Sequence, residues 1–150
     1  MQEQKRVVIV GCGDIGSRVA VLLQAQAWLV YGVRRNTAQL PEQVIPIAAD
    51  LNNPTCPSAW PQSPIDYVVY AMAAQGMTEE GYQQAYVQGQ KHLYQWLEQH
   101  QQQPKRVVFV SSSSVYGQAD DSWIDETSVT EPSRWSGQIM LEAEQCALNS

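Results

Sequence analysis

Arg6 to Val10 reads RVVIV, an unbroken β-branched run that ends at Gly11. Such a run, with no polar alternation, predicts a strand buried on both faces of a parallel sheet. Behind it Ile15, Val19, Leu22 and Leu23 recur at helical spacing as far as about Ala27, which predicts an amphipathic helix laying that stripe on the sheet. Trp28 to Val33, Val44 to Ala48, Tyr67 to Met72 and Arg106 to Val110 read as strands two to five. Pro41, Pro46, Pro54, Pro57, Pro61 and Pro64 crowd the chain around strand three, so any helix between strands three and four has to be short. Between strands four and five, Thr78 to about His100 sets Tyr82, Tyr86, Gly89, Leu93 and Trp96 on one stripe, predicting a long helix. Strands that alternate with helices imply parallel pairing through right-handed crossovers, hence an α/β domain with a doubly wound parallel sheet. No internal repeat is visible, and residues 1–150 read as a single domain.

Composition narrows the partners. The formal charge is −6 and no run of Lys or Arg occurs, which argues against nucleic acid, because phosphate backbones are held by clustered cations. Cys12, Cys56 and Cys146 are odd in number and widely spaced, indicating neither a disulfide framework nor a metal site, and a reducing compartment. The apolar run behind Lys5 and Arg6 is too short for a signal peptide, and no stretch approaches the roughly 20 apolar residues that cross a bilayer. The expectation is a cytoplasmic protein with no membrane contact. His92 and His100 have no acidic or Cys neighbour at ligand spacing and read as exposed helix residues; Gln99 to Gln103 reads as a solvated helix end.

The chemistry begins at GCGDIG, which contributes Gly11, Gly13, Asp14, Ile15 and Gly16 between a buried strand and an amphipathic helix. That is the context in which a GxGxxG pattern binds a dinucleotide. The first Gly permits a tight turn, the second lets the backbone approach the pyrophosphate, and the third lets helix and strand pack, while the helix N-terminus offers unpaired N–H groups. About 20 positions further on, an NAD-binding unit carries an acidic residue for the ribose 2′-hydroxyl. Here that place holds Arg34 and Arg35. Guanidinium groups bind a 2′-phosphate that a carboxylate would repel, so NADP is favoured over NAD; the plainer alternative is two arginines solvated at a strand end. Asp50 can accept from the adenine amino group and Leu51 can cover the ring. Ala73 and Ala74 are small enough for a cofactor to pass close to the backbone.

With Ser111-Ser112-Ser113-Ser114-Val115-Tyr116-Gly117 leaving strand five, the chain resembles the extended short-chain dehydrogenase/reductases, that is, the nucleotide-sugar epimerases and dehydratases, and especially their atypical members. The glycine loop, Asp50-Leu51, Val68 to Ala74, Val87 to Gly89 and the serine tract carry the likeness. It implies a Rossmann fold in which Ser112 bonds the reacting hydroxyl or carbonyl of a small-molecule or sugar-nucleotide substrate and Ser111 lines the nicotinamide pocket. Otherwise the serine tract is a polar strand end. The likeness further implies a homodimer through the 78–100 helix and a C-terminal substrate lobe that these 150 residues do not include.

The likeness breaks at the family's Tyr-x-x-x-Lys pair. Alignment on Gly137 and Glu144 sets Ser136 at the Tyr place and Met140 at the Lys place; no Tyr follows Tyr116 and no Lys follows Lys105. Ala71 stands where a His is frequent and Tyr86 where an Asn is frequent. Two readings follow: a weak or altered NAD(P)-dependent oxidoreductase or epimerase-like enzyme, or a non-catalytic NADP(H)-sensing module acting through a protein partner.

Overall fold

The computed structural model describes residues 4–11, 13–72, 78–110 and 135–148, with the backbone alone for Asp14. Five strands, β1 (Arg6–Val10), β2 (Leu29–Arg34), β3 (Ile45–Ala48), β4 (Tyr67–Tyr70) and β5 (Arg106–Phe109), form one sheet in the order β3-β2-β1-β4-β5. Every pairing is parallel: Val8 of the central β1 faces Tyr31 on one side and Val68 on the other. The order reverses between β1 and β4, which makes this a doubly wound α/β sheet with its switch point at β1. The buried central place of β1 follows from its composition, since Val7, Val8, Ile9 and Val10 are all 0% exposed.

Helix α1 (Asp14–Ala25) covers one face, over a core of Val7, Ile9, Ala20, Val30 and Val44. It meets the sheet differently from the sequence expectation. Val19 and Leu23 pack against that core, but Ile15 is 53% and Leu22 67% exposed. Beside Val19 and Leu23, the contact runs through the small residues Gly16 and Ala20. A Cβ on Gly16 would stand 2.9 Å from the Gly11 carbonyl oxygen and 3.0 Å from Ile9 Cγ2, so helix and strand are already as close as backbone allows.

The opposite face carries the larger core, in which Val8, Val10, Val33, Ile47, Val68 and Tyr70 pack against Leu93, Trp96 and Leu97. The 79–99 helix there is not uniform. It begins as α2 (Glu79–Tyr82), widens into a π-helical segment (Gln83–Gln88) and continues as α3 (Gly89–Gln99). Thr78 caps its start, its Oγ1 accepting from Gly81 N at 3.0 Å, with Glu79 and Glu80 in the first turn complementing the helix dipole. The widening coincides with an inserted side chain: the buried Tyr70 hydroxyl donates to the Ala85 carbonyl at 2.5 Å, and a Cβ on Gly89 would come within 2.6 Å of that hydroxyl. Helix α4 (Trp135–Leu148) joins this layer through Ile139 and Ala143, which pack on Val87. The segment from β3 to β4 contains turns only among the described residues, as its prolines require.

Two polar amides are buried, one of them, Gln102, in the run that the sequence suggested was solvated. Gln102 accepts from Trp60 Nε1 at 2.8 Å and donates to the Pro61 and Ser63 carbonyls at 2.7 and 2.9 Å, so the end of the glutamine run is a clamp on the 60–63 loop. Gln90, 0% exposed, donates to the Tyr86 and Ala143 carbonyls at 3.0 Å each and accepts from the Tyr94 hydroxyl, tying α3 to α4. The histidines also differ from expectation. Both are half-buried, His92 Nδ1 against the Leu51 carbonyl and His100 Nδ1 at 2.8 Å from the Trp96 carbonyl.

Candidate functional site

A cleft of about 760 Å³ opens along the carboxyl ends of the strands, across the switch point. That is where open α/β sheets take ligands, and the volume is within the usual range for small-molecule sites. At its middle the chain leaves β1 through Gly11, whose φ of +78° is the left-handed region that only Gly adopts freely. A Cβ there would also stand 2.8 Å from Met72 Cα and 2.9 Å from the Ala71 carbonyl oxygen. The turn closes with Gly13 N donating to Gly11 O at 2.7 Å, and α1 starts directly behind it with Gly13 at its N-cap and no side chain capping it. Amide groups at such a helix start lack intrahelical acceptors and point toward an anion.

The three glycines therefore have three separate reasons. Gly11 holds the turn and Gly16 the helix-to-strand contact, whereas Gly13 has no described atom within 4 Å of where its Cβ would be. Among the described residues that space is open, and it belongs to the cleft that Gly11, Gly13 and Ile15 line. A branched side chain at Gly13 would project into that space.

On the β2 side the cleft is lined by Arg34, Arg35 and Asn36. Arg35 is exposed, while Arg34 is half-buried and directed by a bond from its Nη2 to Gln39 Oε1 at 2.5 Å. Gln39 belongs to a single turn (Thr37–Gln39) capped by Asn36, whose side chain accepts from Ala38 N at 3.1 Å. Beyond β3, Asp50 and Leu51 line the same cleft. One Asp50 carboxylate oxygen accepts from Asn52 N at 2.9 Å, which fixes the turn, and Leu51 is buried in the large core.

Across the switch point the wall is formed by Ala71 and Met72 after β4, Val110 after β5, Gly81, Gln84, Ala85 and Tyr86 of the helix, and Met140 of α4. The sequence marked Ala71, Tyr86 and Met140 as departures from a family pattern and not as site residues; the structure sets all three on the cleft. The signal that missed Gln84 and Ala85 is the π-helical segment, which has no composition of its own. Ala73, Ala74, Ser111 and Ser112 lie outside the described residues, as does the Asp14 side chain. Among the described residues no group of three His, Cys, Asp or Glu side chains converges as a metal site, and no helix is long and apolar enough to cross a membrane.

Comparison with known proteins agrees with this geometry. A family model described as the NAD dependent epimerase/dehydratase family matches residues 7–137. MoeE5, solved in complex with UDP-glucose and NAD, is 29% identical with a TM-score of 0.78 over 96% of this chain and 48% of its own. A Methylobacillus flagellatus protein is 32% identical, with a TM-score of 0.73 over 95% of this chain and 50% of its own. UDP-glucuronic acid 4-epimerase from Bacillus cereus, solved with NAD, shares the fold at 22% identity and a TM-score of 0.74, over 96% of this chain and 51% of its own. The chain thus spans about half the length of these proteins. No curated protein matches it.

Proposed function

This chain belongs to the NAD dependent epimerase/dehydratase family, and from that premise we propose that it binds a nicotinamide dinucleotide, NADP in preference to NAD, in the cleft centred on Gly13. The observation that carries the reading is the continuity of that cleft, which joins the open space at Gly13 to Arg34 and Arg35 on one side and to Asp50 and Leu51 beyond them. In this reading the α1 start holds the pyrophosphate with Gly11, Gly13, Asp14, Ile15 and Gly16 around it. Arg34 and Arg35 bind the 2′-phosphate through charge-assisted bonds. Asp50 and Leu51 take the adenine, and Ala73, Ala74 and Ser111 border the rest.

The nicotinamide ring, when bound, supplies hydride transfer. This chain's own contribution to such chemistry is reduced. Ser112 remains to bond a substrate hydroxyl or carbonyl, by likeness to the family. The Tyr-x-x-x-Lys pair has no counterpart, since Ser136 and Met140 occupy its places and Met140, 2% exposed on the cleft wall, holds neither a proton nor a charge. Losing a positioned acid/base costs on the order of 10² to 10⁴ in rate. The chain is therefore an NADP-binding relative with weak or altered oxidoreductase chemistry toward a carbonyl or sugar-nucleotide substrate. The apolar Met140 favours a second reading, a non-catalytic module that reports NADP(H) to a protein partner in the cytoplasm.

Calorimetric titration with NADPH and NADH tests the cofactor reading. NADPH binds tighter, Gly13→Val abolishes binding in a folded chain, and Arg34→Asp reverses the preference. A folded wild-type chain that binds neither nucleotide overturns the reading. Turnover with a carbonyl and sugar-nucleotide panel favours the enzyme; a partner retained only with NADPH favours the sensor.

A further inference from the structure

The cleft changes character along its length. Over β2 and β3 it carries Arg34, Arg35 and Asp50; across the switch point its wall includes Met72, Tyr86, Val110 and Met140. Met140 is buried, and Met72, Tyr86 and Val110 are half-buried. Among the described residues lining that second end, none carries a formal charge. A dinucleotide laid across a switch point puts one half on each side of it. With the adenosine ribose held at Arg34 and Arg35, the nicotinamide falls to the uncharged end.

The two redox forms differ in charge on that ring alone: the oxidised nicotinamide is a cation and the reduced one is neutral. Stripping water from a cation against thioether and alkyl groups costs far more than stripping it from a neutral ring. The Tyr86 ring face attracts a cation, but that attraction is smaller than the hydration it replaces. A neutral flat ring, by contrast, gains contact with polarizable sulfur, which Met72 and Met140 both bring to this wall.

We infer that this end of the cleft selects the redox state of the dinucleotide, holding the reduced form in preference to the oxidised one. The inference rests on the cofactor reading above and adds that Met72, Tyr86 and Met140 make the discrimination. It also gives the sensor reading a quantity to report, the fraction of the nicotinamide pool that is reduced.

The test titrates the full chain with NADPH, with NADP⁺, and with the adenosine 2′-phosphate diphosphoribose fragment that lacks nicotinamide. NADPH binds at least about tenfold tighter than NADP⁺, a difference of about 1.4 kcal/mol, and NADP⁺ binds no tighter than the fragment. Equal affinity of the two redox forms, or tighter binding of NADP⁺, overturns the inference and leaves the cofactor reading standing. Silence from all three ligands, with a folded chain, overturns the cofactor reading itself. Met140→Glu, which sets an anion at the ring, narrows the ratio; Tyr86→Glu is the substitute on the same wall if the first variant does not fold. A folded variant with an unchanged ratio removes the assignment to this wall.

Discussion

The two sides of the switch point are built on different principles. On the β1-α1-β2 side the geometry is set by backbone. Gly11 turns at φ +78°, a Cβ on Gly16 would stand 2.9 Å from the Gly11 carbonyl oxygen, and the polar groups that line the cleft hang on that frame. On the β4-to-α4 side it is set by side chains reaching between elements. Tyr70 inserts under the helix at Ala85, and Gln90 ties α3 to α4. A backbone frame is specified locally and read from a short motif; a side-chain frame depends on residues far apart in sequence. The first side is therefore the fixed half of the site, and the second is the half in which chemistry can diverge while the fold persists.

The largest expected break is Gly11→Val. It combines a β-branched residue at positive φ, about 1–2 kcal/mol, with overpacking against Met72 Cα and the Ala71 carbonyl, which are backbone or next to it and cannot swing away, for about 1–3 kcal/mol more. The sum is a large share of an ordinary domain's stability, so thermal melting shows a loss of about 4–20 °C or no folded protein. Gly13→Val, with no described atom within 4 Å of its Cβ, leaves the melting temperature of the nucleotide-free chain within a few degrees of wild type. Equal melting losses for the two variants would erase the claim that the glycines act for separate reasons.

Next in size is Gln90→Ala, which breaks the other side. It removes a fully buried amide and leaves the Ala143 carbonyl, the Tyr86 carbonyl and the Tyr94 hydroxyl each without that partner. The cost is about 2–3 kcal/mol. Hydrogen exchange localises it: protection falls in 135–148 and along the facing part of α3, while amides of β1 and β2 keep theirs. Uniform loss across both sides would show that the two frames are one cooperative unit.

What was legible in the sequence follows the same division. The strands and the glycine turn were read correctly because a β-branched run and a fixed glycine spacing are local signals. The face of α1 was read wrongly in part: Val19 and Leu23 do pack on the sheet, but Leu22 is exposed, Ile15 lines the cleft, and the small Gly16 and Ala20, which were not followed, complete the contact. The π-helical segment left no mark, because the inserted Tyr70 lies 15 residues from Ala85. Gln90 and Gln102 were invisible for the same reason, their partners being 53 and 42 residues away. On the cleft itself, Gly11, Gly13, Arg34, Arg35 and Asp50 were foreseen, whereas Gly81 was not, and Ala71, Tyr86 and Met140 of the uncharged wall were seen only as missing family residues.

Tyr70 offers a smaller and pH-dependent break. Burial pushes its phenol well above the ordinary 10.0, with Tyr94 and Tyr86 adding to the rise. A group whose folded pKa is raised holds its proton in the native state after the unfolded chain has released it. Its stabilisation is therefore whole below pH 10.0 and is lost as pH climbs beyond that value. Tyr70→Phe costs about 1 kcal/mol at neutral pH for the lost bond to Ala85 and flattens the alkaline limb of stability against pH. An alkaline limb that is the same in both proteins would place the titrating group elsewhere.

The smallest effect tests the helix that spans the second side from its other end. The helix α3 stops at His100, Gln101 adopts φ +55°, and Gln102 N returns to the Leu97 carbonyl at 2.9 Å, so a non-glycine residue holds the left-handed position of the cap. Gln101→Gly removes the Cβ penalty at some cost in backbone entropy and raises stability by roughly 0.5–1 kcal/mol net, or about 1–4 °C in melting temperature. Because Gln102 directly follows and clamps the 60–63 loop, the gain appears only if the cap and the clamp are compatible. A loss on Gln101→Gly would mean that the glutamine restricts this turn for the clamp's sake, and that even the end of α3 is set by side chains reaching across the fold.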